Sequence, residues 1–266
     1  MKCCLYFFVG ILLAYNPANA QSYALIPKPF HTELSSDYFT LSLNQQIDCT
    51  AKDSFFQVLF KDWVKAINQN KVQKNKMVQT RISVQWVGAK KWPSYLKKLQ
   101  LNSQFIPGNE GYVIHIEKNN ILLLGQTETA LFYGLQSLQQ LFNLPHIPCG
   151  TIYDKPSFAI RAWQDDVSRG PIPTLDNLKK QIRLYSSYKL NYFSLYTENV
   201  FKYASHPTLA PADGLKPEEI ADLKKYAALY HVTLIANQQS FGHMEKVLAN
   251  PLYSALGEAA HILSPA

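Results

Sequence analysis

The chain is poor in the groups that would mark it for metal, phosphate or membrane chemistry. Its seven histidines are scattered, with no pair at the helical spacing a zinc site uses. Gly108-x-x-Gly111 precedes a strand-like segment and not a helix, so it does not make a phosphate-cradling loop. Cysteine is scarce, with four residues in all, two of them (Cys3 and Cys4) among the first twenty. That leaves Cys49 and Cys149, which in an oxidising compartment either pair or stay as isolated thiols; both readings stand open. Neither has a histidine pattern around it that would suit a catalytic thiol. The apolar stretch Leu5 to Tyr15 is shorter than the roughly 20 residues a spanning helix needs, and no later segment qualifies. Arginine clusters and glycine–aromatic motifs are also missing. The net charge of +7 therefore does not point to nucleic acid. Residues 21–150 hold most of it, 13 Lys and Arg against 8 Asp and Glu, as lysines scattered over Lys52 to Lys98, the pattern of a solvated face.

The first twenty residues read as an export signal. Lys2 supplies the positive end, Leu5 to Tyr15 the apolar stretch, and Ala18-Asn19-Ala20 a small-x-small cleavage site. The mature protein is then expected to be exported, periplasmic or extracellular.

Residues 21–150 read as a mixed α+β domain. Phe56, Leu59, Phe60, Val64 and Ile67 recur at helical spacing, with Asp53 or Ser54 as cap. Ile82 to Val87 alternates like a strand. Gly111 to Glu117 and Ile121 to Leu124 flank Lys118-Asn119-Asn120, a hairpin whose asparagines tolerate a left-handed turn. Thr127 caps a further helix with a buried stripe of Ala130, Leu131, Leu135, Leu138, Leu141 and Phe142; Gly134 inside it costs about 1 kcal/mol relative to alanine, which close packing against a sheet would justify. Asn143 to Pro156, with three prolines and a glycine, reads as a linker.

From Ser157 onward strands and helices alternate, which predicts parallel βα units in residues 151–266. Strand-like runs Phe158–Trp163, Leu190–Tyr196 and Val232–Ala236 each lead into polar residues: Asp165-Asp166-Val167-Ser168-Arg169, Thr197-Glu198-Asn199 and Asn237 to His243. Helices follow at Leu175 to Tyr185, capped by Thr174, and from Pro217, where Glu218 and Glu219 suit the helix dipole. Three such units predict an incomplete (β/α)8 barrel, whose chemistry would sit at the C-terminal strand ends. Its unpaired edges would favour poor solubility.

These residues resemble a known family. Gly111-Tyr112-Val113-Ile114 through Gly125, with Phe132 to Leu141, looks like the accessory domain that precedes the barrel of family 20 glycoside hydrolases, the β-N-acetylhexosaminidases. Pro156 to Arg161 followed by Asp166-Val167-Ser168-Arg169 is similar to that family's first barrel strand, Tyr188 to Asn191 to its next helix end and strand, and Ser240-Phe241-Gly242-His243 to its third strand end. The resemblance implies that Arg161 grips the hydroxyls of a terminal sugar, that Asp166 and Arg169 form a polar pair supporting it, that Glu198 lines the pocket and that His243 supports the catalytic carboxylates. Read on their own chemistry, Arg161 is equally an interior salt-bridge partner of Asp165 or Asp166, Glu198 a surface carboxylate and His243 a helix cap. The chain departs from the common pattern at Ala162, where the family has glycine, at Tyr196 to Asn199 and at Asn237 to Gln239. The resemblance further implies substrate-assisted hydrolysis of terminal N-acetylhexosamine residues, an exception to the two-carboxylate scheme, with no cofactor and no metal. Its Asp–Glu pair is expected beyond Ala266, so the chain reads as truncated and inactive by itself. Two alternatives remain: a non-catalytic carbohydrate-binding protein, or another exported glycosidase such as an α-glucuronidase.

Overall fold

The computed structural model describes residues 24–69 and 75–264; the export signal expected at residues 1–20 lies outside them. Among the described residues no helix is long and apolar enough to cross a membrane. Among the described residues the chain builds a six-stranded sheet and a three-stranded one, each packed on its own apolar side chains, and a two-stranded hairpin near the end.

The first sheet has the order β1-β6-β4-β5-β3-β2, formed by β1 (His31–Phe39), β2 (Ser42–Cys49), β3 (Asn75–Trp86), β4 (Tyr112–Ile116), β5 (Asn120–Gly125) and β6 (Ile147–Asp154). Strands β2, β3 and β5 run parallel, while β4 and β6 are antiparallel to their neighbours. A parallel pair needs a crossover, and α1 (Ser54–Gln69) supplies the one between β2 and β3. Its first turn is capped as expected, the Phe56 N–H donating to Asp53 Oδ1 at 2.6 Å. The expected hairpin is β4–β5.

Both faces of this sheet are covered, which is why Ile121 to Leu124 form an unbroken apolar run. One face of alternate residues, including Ile114, Ile116, Ile121 and Leu123, packs under α1 and α3 (Glu128–Leu141). The other, with Val113, Leu122 and Leu124, packs on Trp92 and Leu96 of α2 (Trp92–Lys98). Thr127 caps α3 by accepting from the Ala130 N–H at 3.0 Å. Gly134 is required by close approach: a Cβ there would lie 2.3 Å from Leu123 Cδ1.

One expectation is corrected here, and one open alternative is decided. The proline-rich stretch 143–156 is not a linker throughout, since β6 occupies 147–154 and pairs with both β1 and β4; ladder hydrogen bonds on two sides override its turn-like composition. A Cys49–Cys149 disulfide does not form. Both thiols are free, on β2 and β6, four strand spacings apart in the sheet order. At about 4.8 Å per spacing that is roughly 19 Å, far beyond disulfide reach.

The second sheet is parallel, in the order β7-β8-β9: β7 (Ala162–Asp166), β8 (Tyr192–Tyr196) and β9 (Thr233–Ile235), with α4 (Leu175–Ser187) and α5 (Pro217–Leu229) between them. Phe193 and Leu195 face the helices and pack with Leu178, Ile182, Leu223 and Ala227. Strand β7 begins four residues later than the sequence pattern suggests. Phe158 and Ile160 are 75 % and 65 % exposed, and side chains tie that segment in place of a ladder: Asn191 accepts from the Arg161 N–H at 2.8 Å and donates to the Ala159 carbonyl at 2.8 Å.

The two sheets are joined at the C-terminal ends of α4 and α5. Both helices end in the same hydrogen-bond pattern, Leu190 N–H to Tyr185 O and Lys189 N–H to Ser186 O in one, Val232 N–H to Ala227 O and His231 N–H to Ala228 O in the other. This is the Schellman motif, whose left-handed residue is usually glycine. Here it is Lys189 (φ +62°) and His231 (φ +55°), and each side chain reaches the first domain. Lys189 Nζ donates to Asp154 Oδ2 at 2.9 Å and to the Tyr112 hydroxyl at 2.7 Å. Tyr112 in turn donates to Asp154 Oδ2, 2.6 Å away, and lies 2.6 Å from Ser137 Oγ. His231 bonds Thr129 at 3.2 Å and packs tilted against Phe132, the ring centroids 4.5 Å apart and the planes at 51°.

Candidate functional site

Alternation along β7 and β8 decides which residues reach the open face of the parallel sheet. Asp165 turns to the helix side, where it accepts from Gln181 of α4 at 3.1 Å. Asp166, its neighbour, points the other way and shares a cleft with Gln164, Tyr196, Arg169 and His243. In the register Asp166 stands beside Tyr196, so both mark the C-terminal edge of the sheet.

The charged groups here form one network. Arg169 Nη1 contacts Asp166 Oδ2 at 2.9 Å, and Nη2 contacts Glu198 Oε1 at 3.5 Å. Lys246, on the short helix α6 (Glu245–Leu248), contacts Glu198 Oε2 at 3.1 Å and donates to the Ser168 carbonyl at 2.6 Å. Asp166 Oδ1 accepts from both the hydroxyl and the backbone N–H of Ser168, at 2.7 and 2.9 Å. The Ser168 hydroxyl foremost holds the Asp166 carboxyl below its usual range; burial opposes it, and the Ser168 N–H, Arg169 and Lys246 each add a smaller lowering effect. The Arg169 guanidinium lies over the Tyr196 ring at 5.4 Å, and His243 meets the same ring nearly edge-on at 6.2 Å.

Backbone strain accompanies this cluster. Glu198 (φ +42°) and His243 (φ +58°) both sit in the left-handed region, which costs a side-chain-bearing residue about 1–3 kcal/mol. At Glu198 the loop after β9 holds it there: the Glu198 N–H donates to Gln239 Oε1 at 2.8 Å, and Gln238 Nε2 donates to the Glu198 carbonyl at 3.0 Å. A buried carboxylate is thereby presented between two cations. A second cleft, of about 460 Å³, adjoins the first across Arg169 and His243 and is lined by Glu198, Phe241, Glu245, Lys246, His261 and Ile262 among others.

Of the residues singled out in the sequence, the structure brings Asp166, Arg169, Glu198 and His243 together. Arg161 is not among them. It precedes β7, at the opposite end of the strands, where its Nη2 pairs with Glu110 of the first domain at 2.5 Å. Its other donors go to the Lys189 and Phe158 carbonyls at 2.7 and 2.8 Å. The expectation that Asp166 and Arg169 support Arg161 is thus corrected: Asp166 pairs with Arg169 itself, and Arg161 is a salt-bridge partner of neither Asp165 nor Asp166. His243 caps no helix, since Met244 stands at the N-cap of α6. Lys246, Tyr196, Gln238 and Gln239 were not legible as members of the site. Their roles depend on loops that return to the sheet, and only the Asp-x-Ser-Arg spacing, which favours a local side-chain turn, carried a signal. Among the described residues no group of three or more His, Cys, Asp or Glu side chains is placed to hold a metal.

Comparison with known proteins agrees with this architecture. Residues 22–155 match the model of glycosyl hydrolase family 20, domain 2. The chain is 27 % identical over 168 residues to a beta-hexosaminidase of Porphyromonas gingivalis (strain ATCC BAA-308 / W83), a match covering 53 % of this chain and 22 % of that one. Among solved structures, the GH20 beta-N-acetylhexosaminidase of Streptomyces coelicolor A3(2) superposes with a TM-score of 0.66 at 19 % identity, over 91 % of this chain and 50 % of that one. The Flavobacterium johnsoniae chitobiase gives 0.68 at 18 %, over 91 % and 40 %. The chain therefore spans half or less of the length of these relatives, and the structural likeness is one of fold. With the family model accounting for half of its residues, the α+β sheet domain with its two-sided helical cover identifies the chain as belonging to glycosyl hydrolase family 20.

Proposed function

We propose that this chain carries part of the sugar-binding face of an exported glycoside hydrolase acting on terminal N-acetylhexosamine residues, and that its three parallel strands are the opening units of a (β/α)8 barrel. The observation that carries this reading is the Asp166–Arg169–Glu198–Lys246 network at the C-terminal strand ends, where barrels of this kind place their chemistry. Arg169, and not Arg161, is the guanidinium available there, 60 % exposed at its side chain. Its planar fork suits adjacent sugar hydroxyls, while the Tyr196 ring beneath it and the two carboxylates fix its plane. Glu198 and Asp166 supply acceptors for the same hydroxyls.

No general acid is assigned in this chain. Of its adjacent acid pairs, Asp165–Asp166 is split between the two faces of β7, and Glu218–Glu219 opens α5, where Glu219 accepts from the Lys216 N–H at 2.9 Å. The isolated chain is therefore expected to bind N-acetylglucosamine without hydrolysing an aryl N-acetylglucosaminide. Calorimetric titration tests the binding. Arg169→Ala should weaken it about 10- to 100-fold, as loss of a charged hydrogen bond worth roughly 1.5–3 kcal/mol implies, and glucuronic acid should not compete. Equal affinity in the variant, or turnover that follows the purified chain, would overturn the reading.

A further inference from the structure

A cavity of about 400 Å³ lies in the seam between the first domain and the parallel sheet, at the end of β7 away from Asp166. Its floor is charged and buried. Lys189 and Asp154 line it with side chains 8 % and 10 % exposed, and Arg161 and Glu110 line it as a second ion pair. An ammonium carries three N–H donors. Lys189 gives one to Tyr112 and one to Asp154, which leaves the third without a partner among the described residues. Both carboxylates are thus taken up in pairs, while Lys28 and Lys155 bring the lining to four cations against two anions. Lys155 is held in place, 4.7 Å from the centroid of the Phe30 ring and donating to the Ile106 carbonyl at 3.4 Å. The walls are aromatic, from Tyr112, Tyr133, Tyr188 and Phe158. Phe158 stands mostly in water although Arg161 Nη1 fixes its carbonyl at 2.8 Å, so a large apolar ring is presented without its burial energy being recovered.

We infer that this seam cavity binds a small aromatic carboxylate, its ring lying among the tyrosines and Phe158 and its carboxylate accepting the third Lys189 N–H. Each part of the lining asks for one part of that ligand. A buried donor left unmade is costly, and a charged acceptor satisfies it best. The two uncancelled positive charges favour an anion over a neutral molecule, and the rings favour a flat apolar body over a wholly polar ion such as phosphate. The cavity is of the size that small-molecule sites occupy. A ligand here touches both domains at once, so it strengthens the seam that Lys189 and Arg161 already hold. The inference is independent of sugar binding, which is placed at the other end of β7.

The test is calorimetric titration of the chain with 2-naphthylacetate and with its neutral counterpart, 2-naphthylacetamide. The acid should bind about tenfold or more tightly than the amide, as a hydrogen bond to a charged group implies. Phe158→Ala and Lys28→Gln change exposed side chains and leave the fold intact. The first should weaken the acid about three- to tenfold through loss of ring contact; the second should weaken the acid several-fold and leave the amide unchanged. Octanoate, with the same charge on a flexible chain, should bind less tightly than the aromatic acid, and N-acetylglucosamine should not displace it. Equal affinity for acid and amide, binding untouched by Phe158→Ala, octanoate as tight as the aromatic acid, displacement by N-acetylglucosamine, or no binding at all would each overturn the inference.

Discussion

Replacing Lys189 by glycine sets two effects of opposite sign against each other. The backbone favours glycine, because Lys189 has φ +62° at the left-handed end of α4, and relieving that conformation stabilises by roughly 1–2 kcal/mol. The side chain opposes it. Lys189 and Asp154 form an ion pair at 2.9 Å with side chains only 8 % and 10 % exposed, and burial pulls the Lys189 ammonium below its usual range while Asp154 pushes back. Removing one partner of a buried pair costs about 3–5 kcal/mol because the other charge stays behind. Asp154 would keep only the Phe30 N–H at 3.1 Å and the Tyr112 hydroxyl. A net loss of about 1–4 kcal/mol follows from those two ranges. At about 2–4 °C per kcal/mol for a chain of this size, the melting temperature should fall by roughly 2–16 °C. Thermal unfolding followed by circular dichroism measures it, with Lys189→Met, which keeps the strained backbone and loses only the charge, expected to fall at least as far. A glycine variant as stable as the parent would refute the argument, since the backbone term would then outweigh the buried pair.

Gly134→Ala also opposes propensity to packing. The helix would gain about 1 kcal/mol, but the new methyl meets Leu123, itself fully buried, and overpacking costs about 1–3 kcal/mol, so a net loss of up to about 2 kcal/mol is expected; chemical denaturation would show it as a lower midpoint at unchanged slope. His231 confers a pH dependence. Burial lowers its pKa below the usual 6.5, against the opposing pull of Asp53, Glu110 and Glu128. The unfolded chain therefore binds the extra proton first, and stability should decline as pH falls through about 6.5 and level off below the folded-state value. His231→Gln should flatten that decline between pH 7 and 5, and an unchanged slope would remove His231 as its source.

Local chemistry was legible residue by residue. Asp53, Thr127 and Thr174 cap the helices they precede, because an N-cap needs only an acceptor within three residues. The β4–β5 hairpin followed from Lys118-Asn119-Asn120 for the same reason, and Gly134 announced a close contact by its cost within a helix. What failed involved partners distant in sequence. Strand β6 carries the composition of a linker yet is held by two neighbours, and β1, polar along most of its length, gave no periodic signal at all.

The site divides in the same way. The sequence by itself determined that polar residues follow each parallel strand, so that Asp166, Arg169, Glu198 and His243 would gather at one edge, because strand direction and side-chain alternation are local properties. Only the tertiary structure decided which arginine serves that edge. Arg161 and Arg169 lie eight residues apart and differ little as sequence, but β7 runs between them, one ending at the first domain beside Glu110 and the other at the cleft beside Asp166 and Glu198. Tertiary structure also brought in Lys246 and stationed Lys189 and His231 where glycine is the local preference, since a contact with the other sheet can outweigh a backbone preference of about 1–2 kcal/mol.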